Sequence, residues 1–305
     1  MTADSDEDAT ADGMILRLSE WIALVYFFFL AATAGRAPVA ASRRWQVIAV
    51  TAIVALLILA LALAPGGGVT LIVRDWIPLL YLIAGYWSPA LLVRAPDERL
   101  ERALLDFDRR WLHRTGFRNV RFRTVDTTLE PSGSLPAQAR ETWTGRWRRL
   151  FVELGELSYL FCYPLVPIGF ACLYLAGLRA EADRFWTVVF LAVFPCYGAL
   201  PWLPTRPPRV VEGAPARHST IRTLNLRILE RASVKLNTFP SGHVASAVAT
   251  ALVVATRLPT AGLMLTVIAG GIAAASIVGR YHYLADVLSG AAIALTAFWI
   301  SRAIW

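Results

Sequence analysis

Apolar residues come in long runs along this chain, and polar ones gather between them. A helix needs roughly 20 apolar residues to cross about 30 Å of hydrocarbon. Runs near that length lie at Trp21 to Ala34, Trp45 to Ala64, Ile77 to Val93, Leu154 to Leu178, Trp186 to Leu203, His243 to Leu258, Ala261 to Val278 and Val287 to Ile304. The pattern predicts an all-α, polytopic membrane helix bundle of about eight transmembrane helices. Pro164, Pro167, Gly169, Pro195, Gly198 and Pro201 fall inside these runs, where neighbouring membrane helices can satisfy the backbone groups they free. The first run is short and needs Met14 to Ser19 to reach full length. Asp4, Asp6, Glu7, Asp8 and Asp12 precede it, and this is the wrong sign for a cleaved signal peptide, so the run reads as an uncleaved anchor or true span.

The polar stretches divide the chain. Residues 1–13 read as an acidic disordered tail, 14–93 as N-terminal transmembrane helices, 94–150 as a basic interfacial segment and 151–305 as a catalytic transmembrane core. Within the basic segment, Leu100, Leu104, Leu105, Phe107, Trp111 and Leu112 alternate with Arg99, Arg102, Asp106, Arg109 and Arg110. That spacing predicts an amphipathic helix lying on lipid headgroups, while Thr124 to Ala137 reads as loop.

Composition excludes a soluble protein: 56% of residues are hydrophobic, leaving too little polar chain to cover a core with eight such runs. The cations are 29 Arg and one Lys. If the spans alternate, 24 of them fall on one face, thirteen of these between Arg94 and Arg149, and six on the other. By the positive-inside rule the first face is cytoplasmic, in a multi-pass protein of the cell membrane. No nucleic-acid recognition motif accompanies the arginines, and anionic lipid is partner enough for them. Cys162, Cys172 and Cys196 lie in apolar runs without zinc-ligand spacing, so they read as buried thiols.

Two motifs carry chemistry. Phe239-Pro240-Ser241-Gly242-His243 opens one apolar run, and Gly279-Arg280-Tyr281-His282-Tyr283-Leu284-Ala285-Asp286 precedes another. An up-and-down helix pair between them returns His282 to the face of His243. His282 and Asp286 are four apart, so on a common helix face the carboxylate accepts the imidazole N–H, fixes the tautomer and leaves the other nitrogen as a nucleophile. Ser241 and Gly242 form a turn whose N–H groups favour an anion, and His243 stands where it can protonate a departing oxygen. Arg206 and Arg209, on the proline-stiffened turn Pro204 to Arg209, can clamp phosphate oxygens. Each feature alone has a plainer reading: a structural His–Asp bond, the start of a membrane helix, a basic juxtamembrane stop. Together they describe an anion site.

This arrangement resembles the type 2 phosphatidic acid phosphatase superfamily from about Leu100 to the C-terminus. The resemblance implies that His282 is the nucleophile, Asp286 its partner, His243 the acid for the leaving group, and Ser241 and Gly242 phosphate donors. Two positions depart from the family pattern: Ala199 stands where a Lys precedes Arg206-Pro207, and Ser276 stands six residues before His282 where an Arg is usual. This form, together with Glu156 to Pro164, looks like the branch that contains inositol phosphorylceramide synthases, and the clamp becomes Arg206, Arg209 and Arg280, with Lys235 a weaker candidate. The reaction implied is phosphoryl transfer on a lipid phosphate or diphosphate, through a phosphohistidine and without metal or other cofactor. A headgroup phosphotransferase, a non-catalytic anion-binding transporter or scaffold, and a metal site of His243, His282 and Asp286 stand as alternatives.

Overall fold

The computed structural model describes residues 16–93, 95–114, 143–213 and 219–305. The expected tail at 1–13 and loop at Thr124 to Ala137 lie outside them. The described architecture is all-α, with one two-stranded ribbon. Helices α1 (Leu18–Arg36) and α2 (Ala41–Leu63) form a hairpin. Glu20, in the first turn of α1, accepts the Arg17 N–H at 2.8 Å, satisfying a donor that a helix start leaves open. α3 (Gly68–Trp76) and α4 (Pro78–Trp87) make one rod with the short 3₁₀ turn Ser88–Leu92. α5 (Glu98–Arg114) follows.

The second half begins with α6 (Trp143–Leu160) and α7 (Leu165–Leu175), which meet at a 67° bend beside Pro164. α8 (Ala182–Gly198) leads to strand β1 (Pro204–Thr205), the short α9 (Pro208–Val211) and α10 (Thr220–Ala232), which is N-capped by Ser219. Strand β2 (Asn237–Thr238) pairs antiparallel with β1. α11 (Gly242–Arg257), α12 (Pro259–Val278) and α13 (Leu284–Ile304) close the fold.

Among the described residues, five helices or helix pairs are long and apolar enough to cross a membrane, or six if α6 and α7 form one bent span. This is the architecture of a multi-pass membrane protein, but the eight expected spans are not all supported. The difference lies in α8 and α11, of 17 and 16 residues, which are packed by α1, α7, α12 and α13 on several sides. Periodicity cannot separate a helix that is apolar because lipid surrounds it from one that is apolar because protein does. Around this centre the outer faces of α1, α2, α12 and α13 expose Val25, Leu56, Leu263, Val267 and Trp299, as a lipid-facing wall does. An apolar groove of about 710 Å³, lined by Trp21, Val25, Phe29, Phe194, Gly198 and Trp202, runs between α1 and α8.

α5 packs on protein with part of its apolar side. Leu104 and Leu105 are buried against Tyr283, with Val211 and Phe239 beside them, while Trp111 and the arginines Arg99, Arg102, Arg109 and Arg110 are exposed. Cys162 and Cys196 are buried free thiols as expected, but Cys172 is only half-buried.

Candidate active site

The turn before α11 and the turn before α13 meet at the end of the bundle where α12 finishes. The Ser241 N–H donates to the Asp286 carbonyl at 3.1 Å, tying the two histidine motifs together through backbone. Gly290 permits this approach: a Cβ there would stand 2.4 Å from the Ser241 carbonyl oxygen. Gly242 has a different use from the one its sequence suggests. It is the first residue of α11, and a Cβ on it would stand 2.4 Å from the Tyr197 ring, so it is needed for space rather than for a sharp turn. Ser241 caps α11 by accepting the Val244 N–H at 3.4 Å, which leaves its hydroxyl hydrogen available.

His282 precedes α13 by two residues, yet its Nδ1 still reaches Oδ2 of Asp286 at 3.3 Å. The same oxygen accepts the Tyr283 N–H at 3.2 Å, and the carboxylate of Asp108 on α5 receives the Leu284 N–H at 2.9 Å. Two carboxylates thus stand at the positive end of α13. His282 is 4% exposed and Asp286 fully buried. Burial, with the Arg209 charge second, pushes His282 down from 6.5 to about 3. Its imidazole is therefore neutral, with Nδ1 at the carboxylate and Nε2 without a hydrogen bond among the described residues. The His243 ring lies 5.7 Å from it, centroid to centroid, flanked by Tyr86, Tyr159 and Tyr163.

The arginines separate into two kinds. Arg206 is gripped by Glu101 of α5, which accepts its N–H at 2.7 Å, Nε at 3.0 Å and Nη2 at 2.7 Å. Arg280, at φ 59°, pairs with Glu212, which also takes Arg109 at 2.7 Å. Burial works against ionising Glu212, but Arg109 and Arg280 outweigh it and hold the carboxyl below its usual value. Arg209 differs. Half-buried, with its pKa lowered by that burial, it has no carboxylate partner among the described residues, and its guanidinium carbon sits 5.2 Å from the Tyr281 ring centroid. Lys235 is exposed in the turn after α10.

Sequence reading missed Arg222. It is 3% exposed, pairs with Glu156 at 2.6 Å and donates to the Gly279 carbonyl at 3.3 Å. Nothing in the pattern of α10 separates it from Arg227 or Arg231; only the Glu156 segment hinted at a partner. Among the described residues, no three His, Cys, Asp or Glu side chains are grouped as metal ligands.

Nothing among curated proteins or solved structures matches the chain. A family model described as PAP2 superfamily matches residues 141–300, over half of the sequence, running from α6 to α13. Since that match takes in the bent helix pair, the Arg209 turn and both histidine motifs, the chain belongs to the PAP2 superfamily.

Proposed function

We propose that this protein is a membrane lipid phosphatase that works through a phosphohistidine on His282. The observation that carries the reading is a neutral, buried His282 held at Nδ1 by Asp286, facing His243 at 5.7 Å beside an arginine without a carboxylate partner among the described residues. Nε2 of His282 attacks phosphorus, and the N–P bond forms as the P–O bond to the lipid breaks. His243, pushed down to about 3 by burial and then by His282 and the Arg209 charge, takes up its proton with the anionic substrate, gives it to the departing oxygen, then takes one from the water that cleaves the N–P bond, releasing phosphate and neutral His282. Arg209, the Ser241 hydroxyl and the N–H groups around Gly242 offset the charge on the equatorial oxygens. They supply what metal ions supply to other phosphoryl-transfer enzymes. Arg206 and Arg280 can join only by exchanging Glu101 and Glu212 for phosphate, and Lys235 would act from outside.

A second reading keeps these steps and replaces water with a lipid or headgroup alcohol, as in the inositol phosphorylceramide synthase-like branch. It is supported by Tyr159 and Tyr163, from the Glu156 to Pro164 segment, which flank His243. The deciding experiment measures phosphate release and headgroup transfer from polyprenyl phosphates, polyprenyl diphosphates and phosphatidic acid, with His282→Ala as blank. Transfer without release selects the second reading. Binding without either makes the protein an anion-binding transporter or scaffold.

Among the described residues, the site end of the bundle carries Arg36, Arg43, Arg44, Arg99 to Arg110 of α5, Arg206, Arg209, the α10 arginines, Lys235 and Arg280, and by the positive-inside rule we assign it to the cytoplasm. A single cysteine at Ala103, exposed on α5, in a chain lacking the native three, tests this. Labelling of intact cells by an impermeant maleimide would overturn the orientation and leave the chemistry standing.

A further inference from the structure

We infer that the ring of Tyr281 is the positioning element for Arg209; the inference rests on the reading that Arg209 binds phosphate. Arginines in this fold are usually held by carboxylates, as Arg206, Arg222 and Arg280 are. A carboxylate fixes a guanidinium but also neutralises it and occupies its donors, so a phosphate must then displace it. An aromatic face holds the planar group by cation–π attraction and leaves its charge and N–H donors for the ligand. The Tyr281 ring, buried and 5.2 Å from the guanidinium carbon, is placed to do this for Arg209.

The ring is itself fixed on several sides. Tyr159 stacks on it at 3.8 Å. Its hydroxyl donates to Oε2 of Glu156 at 2.5 Å. The charge of Glu156 is answered elsewhere, by Arg222 at 2.6 Å and by the Asn225 amide at 3.0 Å, so it does not neutralise Arg209. Gly279 leaves the ring its room, since a Cβ there would stand 2.4 Å from it. The Tyr281 and His282 N–H groups both donate to the Ser276 carbonyl, and the Arg209 N–H donates to the Arg280 carbonyl at 3.1 Å. One short turn thus carries the seat of the cation and the nucleophile in adjacent residues, which fixes the distance between them.

The test is a double-substitution cycle on orthovanadate affinity and on kcat and KM, using the full chain in detergent or bilayer. Arg209→Ala should raise the vanadate Kd about 100-fold, the loss of a charge-assisted contact. Tyr281→Leu should raise it about tenfold and lower kcat more than it raises KM, while Tyr281→Phe, which keeps the ring, stays within about threefold. The decisive arm is Arg209→Ala with Tyr281→Leu, which should bind no worse than Arg209→Ala alone, because the other cation over the ring, Arg222 at 5.6 Å, stays held by Glu156. Penalties that multiply would show that Tyr281 acts independently of Arg209 and overturn the inference. If Tyr281→Leu does not fold, Tyr281→Phe decides, since a tenfold loss there would mean that the hydroxyl and not the ring matters. Vanadate binding with the expected cycle but no turnover of any lipid would keep the inference and sink the phosphoryl-transfer reading. Absence of vanadate binding by the wild-type protein would sink both.

Discussion

The two ends of the bundle are built from the same residue type and differ in how they hold one half-buried member of it, Arg209. At the end away from the histidines, Arg17 and Arg179 share Asp75 at 2.8 and 2.5 Å, Arg74 meets Glu20 at 2.6 Å, and Arg184 and Arg257 share Glu181. Every one of those guanidiniums has a carboxylate. At the histidine end, Arg109, Arg206, Arg222 and Arg280 are paired as well, but Arg209 rests on an aromatic ring instead. Ion pairs of the first kind hold helices together. A cation left partly buried without an anion is a place for an anion to arrive.

The contrast breaks most sharply at His282. His282→Ala should lower turnover by about four orders of magnitude or more, because the covalent route is gone, while Asp286→Asn leaves a small measurable remainder. Phosphate release measures both, and wild-type rates in His282→Ala would remove the histidine end from the chemistry altogether. The opposite end answers in stability. Asp75→Ala leaves two guanidiniums without their carboxylate and should cost about 3 kcal/mol, the low end for a broken buried pair because both can reach toward water. Thermal unfolding reads this loss, and specific activity of the folded fraction should stay unchanged.

Arg209→Ala sharpens the same comparison from the other side. It should reduce kcat/KM about 100- to 1000-fold while leaving the melting temperature equal to or above the wild type, since no native ion pair is lost. A marked fall in melting temperature would show that Arg209 is structural like its counterparts at the far end. The smallest effect is on pH. The unfolded His282 takes up a proton near 6.5 and the folded one only near 3. Proton binding therefore favours the unfolded state between those values, and stability falls as pH drops from about 6.5 toward 3. His282→Asn should show a shallower loss over that window in a pH series of melting curves, and parallel curves would refute the neutral histidine.

Sequence predicted that His243, His282 and Asp286 come together because their relation is local: one turn, one helix hairpin and a four-residue step. It could not rank the arginines, because what distinguishes them is the acid that each meets. Glu101 lies 105 residues from Arg206, and Glu212 lies 68 from Arg280. Gly290 escaped notice for a related reason: it sits in a stretch of small residues in α13, and its purpose is visible only once the Ser241 carbonyl is beside it. The count of eight spans is not supported at α8 and α11, of 17 and 16 residues, which protein packs on several sides.

The far-end cluster also bears on how the chain enters the bilayer during translation. Residues up to Asp75 contain the pairs Arg17 with Asp75 and Arg74 with Glu20, two cations and two anions, so the N-terminal helices can cancel their own charge before the ribosome reaches α6. Arg179 and Asp183 emerge later as one charge of each sign. The first joins Asp75, and the second receives the Leu18 and Ser19 N–H groups at 3.1 and 2.9 Å. Joining the two halves therefore pairs charges of opposite sign rather than leaving any one alone, and a lone arginine or aspartate within hydrocarbon would cost several kcal/mol.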